Sequence, residues 1–188
     1  MNARELYGLW ALALLLTAMV IGPLIFVLPW LPLRGELAIA RRALGVAAFV
    51  FASCHVICYL VPTLLRNWHL LYTPGKLWIA GLLLGVPMLV LMGALAFTSS
   101  DASVHRLGGH RWKRLHRSVY ILLPIAFVHG IFLGTDFGVN KGPDVTGEPD
   151  AGSLIGMLVF ASAWLTLFLL RRKRIRWAPL RFWRPAGH

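Results

Sequence analysis

Apolar stretches fenced by charged residues organise this chain. Five runs free of Asp, Glu, Lys and Arg lie between Glu5 and Arg34, Arg42 and Arg66, Lys76 and Asp101, Arg117 and Asp136, and Asp150 and Arg171. A helix crossing about 30 Å of hydrocarbon needs roughly 20 apolar residues at about 1.5 Å each. Even the shortest run, residues 118–135, reaches about 27 Å as a helix. The pattern predicts an all-α integral membrane bundle of about five transmembrane helices, a single domain over 1–188 that ends in a basic tail at 171–188. The first run contains "LWALALLLTAMVIGPLIFVL", longer than the 7–15 residue core of a secretory signal and followed by no A-x-A-like site. It is expected to be a retained helix, kinked at Pro23.

Charge between the runs sets the expected orientation, because lysine and arginine collect in cytoplasmic loops. The first and third connections and the tail hold Arg34, Arg41 and Arg42, then Arg106, Arg111, Lys113, Arg114 and Arg117, then "RRKRIRW". The second connection is poor in positive charge, and the fourth, "DFGVNKGPDVTGEPD", carries four carboxylates. With five spans the N-terminus lies outside and the C-terminus in the cytoplasm of a multi-pass inner membrane protein. Composition agrees: 58% of residues are hydrophobic and 14% charged, where soluble domains carry about 25% charge. The net charge of +12 is this clustering at one face rather than a nucleic-acid footprint, since the basic residues flank helices and no nucleic-acid module is present. Cys54 and Cys58 have no partner pair at zinc spacing and are read as small apolar helix residues.

The chemistry of the chain lies in its histidines. Two of the seven, His55 and His129, fall inside apolar runs, where an ionisable side chain marks a functional site by default and needs a partner. His55 is 13 residues past Arg42 and His129 is 12 past Arg117, about 20 and about 18 Å into the bilayer. The second and fourth spans run in the same direction, so the two imidazoles share one level. Facing imidazoles across a helix bundle are the axial-ligand arrangement of a b-type haem, and the absence of C-x-x-C-H excludes covalent attachment. His116, 13 residues before His129 and among arginines, could serve a second haem toward the inner face, where Arg41, Arg114 and Arg117 suit propionates; its level on the second span holds arginine and no histidine. Another register pairs His55 with His116 and His69 with His129. Depth argues against it, since His69 lies about 40 Å past Arg42 along a straight helix. His105 and His110 are expected to be solvated.

The strings "RRALGVAAFVFASCHVICY", "VLMGALAFTSS" and "RLGGHRWKRLHRSVY", followed by His129, resemble the ferric reductase-like transmembrane family over roughly 41–134. Within it, the chain resembles the branch of haem-binding subunits from bacterial methionine sulfoxide reductase systems. The specific element is Leu107, Gly108, Trp112, Leu115, His116, Val119 and Tyr120 with a second histidine 13 residues on. The resemblance implies a membrane haem protein in which His55, His116 and His129 are ligands, with flavin mononucleotide as an associated cofactor and a periplasmic molybdenum-containing reductase as partner. The chain departs from the family in its five spans where six are common, in one extra residue between Gly108 and Trp112, and in the acidic loop 136–150.

Two functions from different classes follow. The first is a conduit carrying electrons from a cytoplasmic flavin or quinol donor to an acceptor at the outer face. No G-x-G-x-x-G follows a strand, so another polypeptide or a quinol is expected to supply the electrons. The second is a cofactor-free anchor or assembly subunit, with "GLLLG" at Gly81–Gly85 and "GIFLG" at Gly130–Gly134 as close-packing faces. A proton-relay transporter fits less well, because no carboxylate lies within a span.

Overall fold

The computed structural model describes residues 3–28, 30, 33–66, 76–133 and, within 161–169, all but 163 and 167. Six helices follow one another: α1 (Ala3–Val27), α2 (Arg34–Arg66), α3 (Lys76–Phe97), α4 (Asp101–Leu107), α5 (Gly109–Arg117) and α6 (Val119–Leu133). Four stretches are long and apolar enough to cross a bilayer: Ala3–Ile25, Gly35–Arg66, Ile79–Phe97 and Gly109–Phe132. The chain is therefore a multi-pass, all-α membrane protein. Most of the fifth apolar run, His69, the acidic loop 136–150 and the tail 171–188 lie outside the described residues. What is described of 161–169 is helical, and Trp164 packs against the core.

The helices associate as antiparallel pairs. Gly8 of α1 faces His55 of α2, and Gly22 faces Arg41, so α1 and α2 keep one register over most of α1. In the second pair Gly85 of α3 faces His129 of α6, and Thr98 just past α3 meets His116 of α5. Gly93 of α3 lies against Phe49 of α2 and joins the two pairs. One end of the bundle thus carries His55 and His129, and the other carries Arg41, Arg42 and His116.

The arginine-rich end differs from the loops expected there. Arg34, Arg41 and Arg42 form the opening turns of α2, whose 33 residues extend about 50 Å. The helix continues past the hydrocarbon because charged residues propagate a helix as well as apolar ones once water is at hand. The third connection is also helical. Ser100 caps α4, its hydroxyl accepting the backbone N–H of Ser103. Gly108, at a φ of +73° that favours glycine, turns the chain from α4 into α5. Arg42 forms an ion pair with Asp101 that ties α2 to α4. A further break falls at Ser118, whose N–H and hydroxyl both donate to the carbonyl of Leu115. The fourth apolar run, residues 118–135, thus begins at this break, with α5 before Ser118 and α6 after it. α1 continues through Pro23.

Apolar side chains lie both inside the bundle and on its outer surface. The core is Leu15, Met19, Ala48, Leu95, Leu122 and Leu123, whereas Leu83, Val90 and Phe97 are 68%, 68% and 80% exposed. Lipid is as apolar as leucine, so helices here associate by packing rather than by escape from water. Replacing the fully buried Leu123 by Ala should therefore cost only the packing share of a core truncation, about 1–3 kcal/mol against about 2–5 in soluble cores. Val90→Ala, on the lipid face, should change stability by less than about 0.5 kcal/mol. Thermal unfolding in detergent micelles measures both.

Candidate functional site

Each intramembrane histidine is held by a backbone carbonyl of the helix beside it. His55 projects from the middle of α2 toward the first turn of α1, where its Nδ1 lies 2.8 Å from the carbonyl oxygen of Arg4. His129 projects from α6 toward α3, its Nδ1 2.8 Å from the carbonyl oxygen of Gly81. A carbonyl only accepts, so in both rings Nδ1–H is the donor, and a neutral ring then leaves Nε2 with a lone pair. The two rings stand 6.4 Å apart between centres with their planes at 71°. The arrangement consists of two half-buried imidazoles, each fixed in tautomer from behind.

The Arg4 carbonyl is itself held in place. The guanidinium of Arg4 lies 5.9 Å from the ring centre of Tyr59, one turn beyond His55, at the distance of a cation–π contact. The first turn of α1 is thus tied to α2 both by a charge over a ring and by the imidazole bond.

His116 is in different company. Its Nε2 lies 3.1 Å from the hydroxyl of Thr98, and that hydroxyl lies 2.6 Å from the carbonyl of Ala94, to which it donates. The hydroxyl lone pairs then receive Nε2–H. The indole of Trp112 stacks on the imidazole, with centres 4.1 Å apart, and donates Nε1–H to the carbonyl of Thr98 at 2.7 Å. Thr98 thus organises both aromatic rings, a role the sequence does not advertise except as a polar residue ending an apolar run.

The structure brings His55 and His129 together and sets His116 apart, at the opposite end of the bundle. Arg41 reaches across to Gly22 on α1, while Arg114, Arg117, His105 and His110 are exposed. Cys54 and Cys58 are free thiols. Among the described residues no three His, Cys, Asp or Glu side chains gather as a metal site.

A family model described as the ferric reductase like transmembrane component matches residues 7–128. The chain belongs to this family. The ferric reductase-like region thus takes in α1 to α5 and most of α6, including His55 and His116, and stops one residue before His129. Among curated relatives, the protein-methionine-sulfoxide reductase heme-binding subunit MsrQ of Azospira oryzae is 33% identical over 127 residues, covering 67% of this chain and 52% of its own. MsrQ of Caulobacter vibrioides is 35% identical over 126 residues, 67% of this chain and 57% of its own. The magnetosome protein MamZ of Magnetospirillum gryphiswaldense is 36% identical over 97 residues, 51% of this chain and 15% of its own. The chain spans about half the length of the MsrQ relatives. No solved structure matches it.

Thr98→Val, which keeps the shape and deletes the hydroxyl, should destabilise the arginine-rich end by about 1–2 kcal/mol by leaving Nε2–H of His116 without an acceptor. Thr98→Ser should recover most of that loss. Denaturation of the two variants in detergent, followed by tryptophan fluorescence, gives the comparison.

Proposed function

We propose that this chain is a haem-binding membrane subunit that carries electrons across the bilayer, with His55 and His129 as the axial ligands of one b-type haem. The observation that carries the reading is the histidine pair. The two rings stand 6.4 Å apart between centres, close enough that both could hold one metal ion through Nε2. Both commit Nδ1–H to a carbonyl, the outer bond that metal-bound histidines commonly make and that raises the donor strength of Nε2. A bound macrocycle would bring four nitrogens of its own, and His55 and His129 would hold it from the protein side.

A bound haem supplies reversible one-electron chemistry. The chain's part is to hold both imidazoles in one tautomer, to keep them among apolar side chains, and to leave no coordination position open. Six-coordination favours outer-sphere transfer over oxygen chemistry, which assigns substrate reduction to a partner. The heme-binding subunits of a protein-methionine-sulfoxide reductase among its relatives support a redox partner protein, and in this reading that partner docks at the outer, periplasmic face of a bacterial inner membrane. The arginine-rich end then faces the cytoplasm, with the N-terminus outside and the tail 171–188 inside, and electrons enter from a flavin, such as flavin mononucleotide, or from quinol.

A second haem at the inner end would draw on His116, with Arg41, Arg114 and Arg117 toward its propionates. Arg41 lies 14 residues from His55 along α2, about 21 Å, so these arginines belong to the inner level and not to the His55–His129 pair. His116 would have to release Thr98 to bind iron through Nε2.

The test is a reduced-minus-oxidised spectrum with pyridine haemochrome quantification on the purified protein and on His55→Ala, His129→Ala and His116→Ala. One haem per chain, lost in His55→Ala and His129→Ala and kept in His116→Ala, is the expected result. Loss of a second haem in His116→Ala would add the inner site. A wild-type chain without haem would sink the conduit and leave a membrane anchor.

A further inference from the structure

We propose that Gly8 and Gly85 are positioning residues for the two axial histidines, each opening the helix backbone so that an imidazole can reach a carbonyl; this rests on the haem reading above. A helical carbonyl at position i is the partner of the N–H at i+4, and a side chain at i+4 stands beside it. The acceptor of His55 is the carbonyl of Arg4, and the residue four further on is Gly8. The acceptor of His129 is the carbonyl of Gly81, and the residue four further on is Gly85. The same device occurs on two helices unrelated in sequence.

The space confirms that both rings occupy the ground a side chain would take. A Cβ added at Gly8 would lie 2.9 Å from Nδ1 and 3.2 Å from Cε1 of His55; one added at Gly85 would lie 3.1 Å from Cε1 and 3.5 Å from Nδ1 of His129. The rigid ring of His55 cannot stay where it is with a Cβ at 2.9 Å, and that of His129, with one at 3.1 Å, must give by a few tenths of an ångström at its hydrogen-bonded edge. The consequence is electronic as well as steric. An Nδ1–H donated to a carbonyl makes Nε2 a stronger donor to iron, which favours the ferric state; losing the bond should raise the midpoint potential.

Helix propensity predicts the opposite sign for a purely structural glycine, since alanine favours a helix interior over glycine. The experiment compares Gly8→Ala and Gly85→Ala in the full chain, with Gly22→Ala as control. Gly22 sits on the same helix as Gly8, and its added Cβ would meet the guanidinium of Arg41, the far end of a flexible side chain, with Nη1 at 3.1 Å and Cζ at 3.6 Å. Haem retention, potentiometric titration and the low-spin ferric resonance are read for each. Gly8→Ala should hold haem about 10–100-fold less tightly, with the remaining haem at a higher potential and its resonance displaced. Gly85→Ala should shift in the same direction by less, and Gly22→Ala should match the parent. Wild-type potential and resonance in a folded Gly8→Ala would overturn the proposal. If Gly8→Ala does not fold, an unshifted Gly85→Ala overturns it instead. A parent chain without haem overturns the haem reading itself, a result distinct from an unchanged alanine variant of a haem-bearing parent.

Discussion

Hydrocarbon offers no hydrogen-bond partners, and that constraint shapes every polar group in the spans. Thr17, Ser53 and Thr63 each turn the hydroxyl back onto the carbonyl four residues earlier, the cheapest local solution for a short side chain. An imidazole is too long and too rigid for that. His55 and His129 must therefore find acceptors on a neighbouring helix, and each interhelical bond is at once a fixing of the ring and a staple between α1 and α2 or between α3 and α6. Among the described residues no buried side-chain nitrogen or oxygen lacks a partner. The pairwise architecture of the bundle and the orientation of its two inner histidines are thus one fact seen from two sides.

The level of the two histidines was legible in the sequence because it depends on counting alone. Residues from a charged boundary convert to depth at a fixed rise, and spans two and four run the same way. What holds the rings was not legible. Arg4 and Gly81 contribute only backbone, which has no letter of its own, and Gly8 sits in an apolar run whose other residues carry no chemistry. "GLLLG" at Gly81–Gly85 stands out as a packing face, and in the structure His129 lies against it, with Nδ1 at the carbonyl of Gly81 and the ring close to Gly85. The boundaries failed where charge was taken as the end of a helix. Arg34 to Arg42 continue α2, and Asp101 to Arg117 form α4 and α5, because exposed basic residues are good helix formers. The start of α6 at Val119, by contrast, falls at the Arg117 boundary that charge marks.

Family membership and geometry bear on different parts of the molecule. The matched region stops one residue short of His129, yet His129 is the residue that meets His55. The motif-rich segment around Trp112 and His116, by contrast, is where the resemblance is strongest and where the structure shows a hydroxyl-centred cluster of Thr98, Trp112 and His116. A reader guided by motif alone would place the chemistry at the arginine-rich end, and one guided by ring geometry alone would place it at the other.

The break at Ser118 has a mechanical meaning. Between Arg42 and His55 the chain is one helix with no proline, a stiff rod joining the two ends of the bundle. Between His116 and His129 the hydrogen-bond ladder is interrupted at Ser118, whose backbone keeps helical angles while its N–H turns back to Leu115, and Pro124 withholds a further N–H. The second path from the arginine-rich end to an inner histidine thus runs through a sparser ladder than the first.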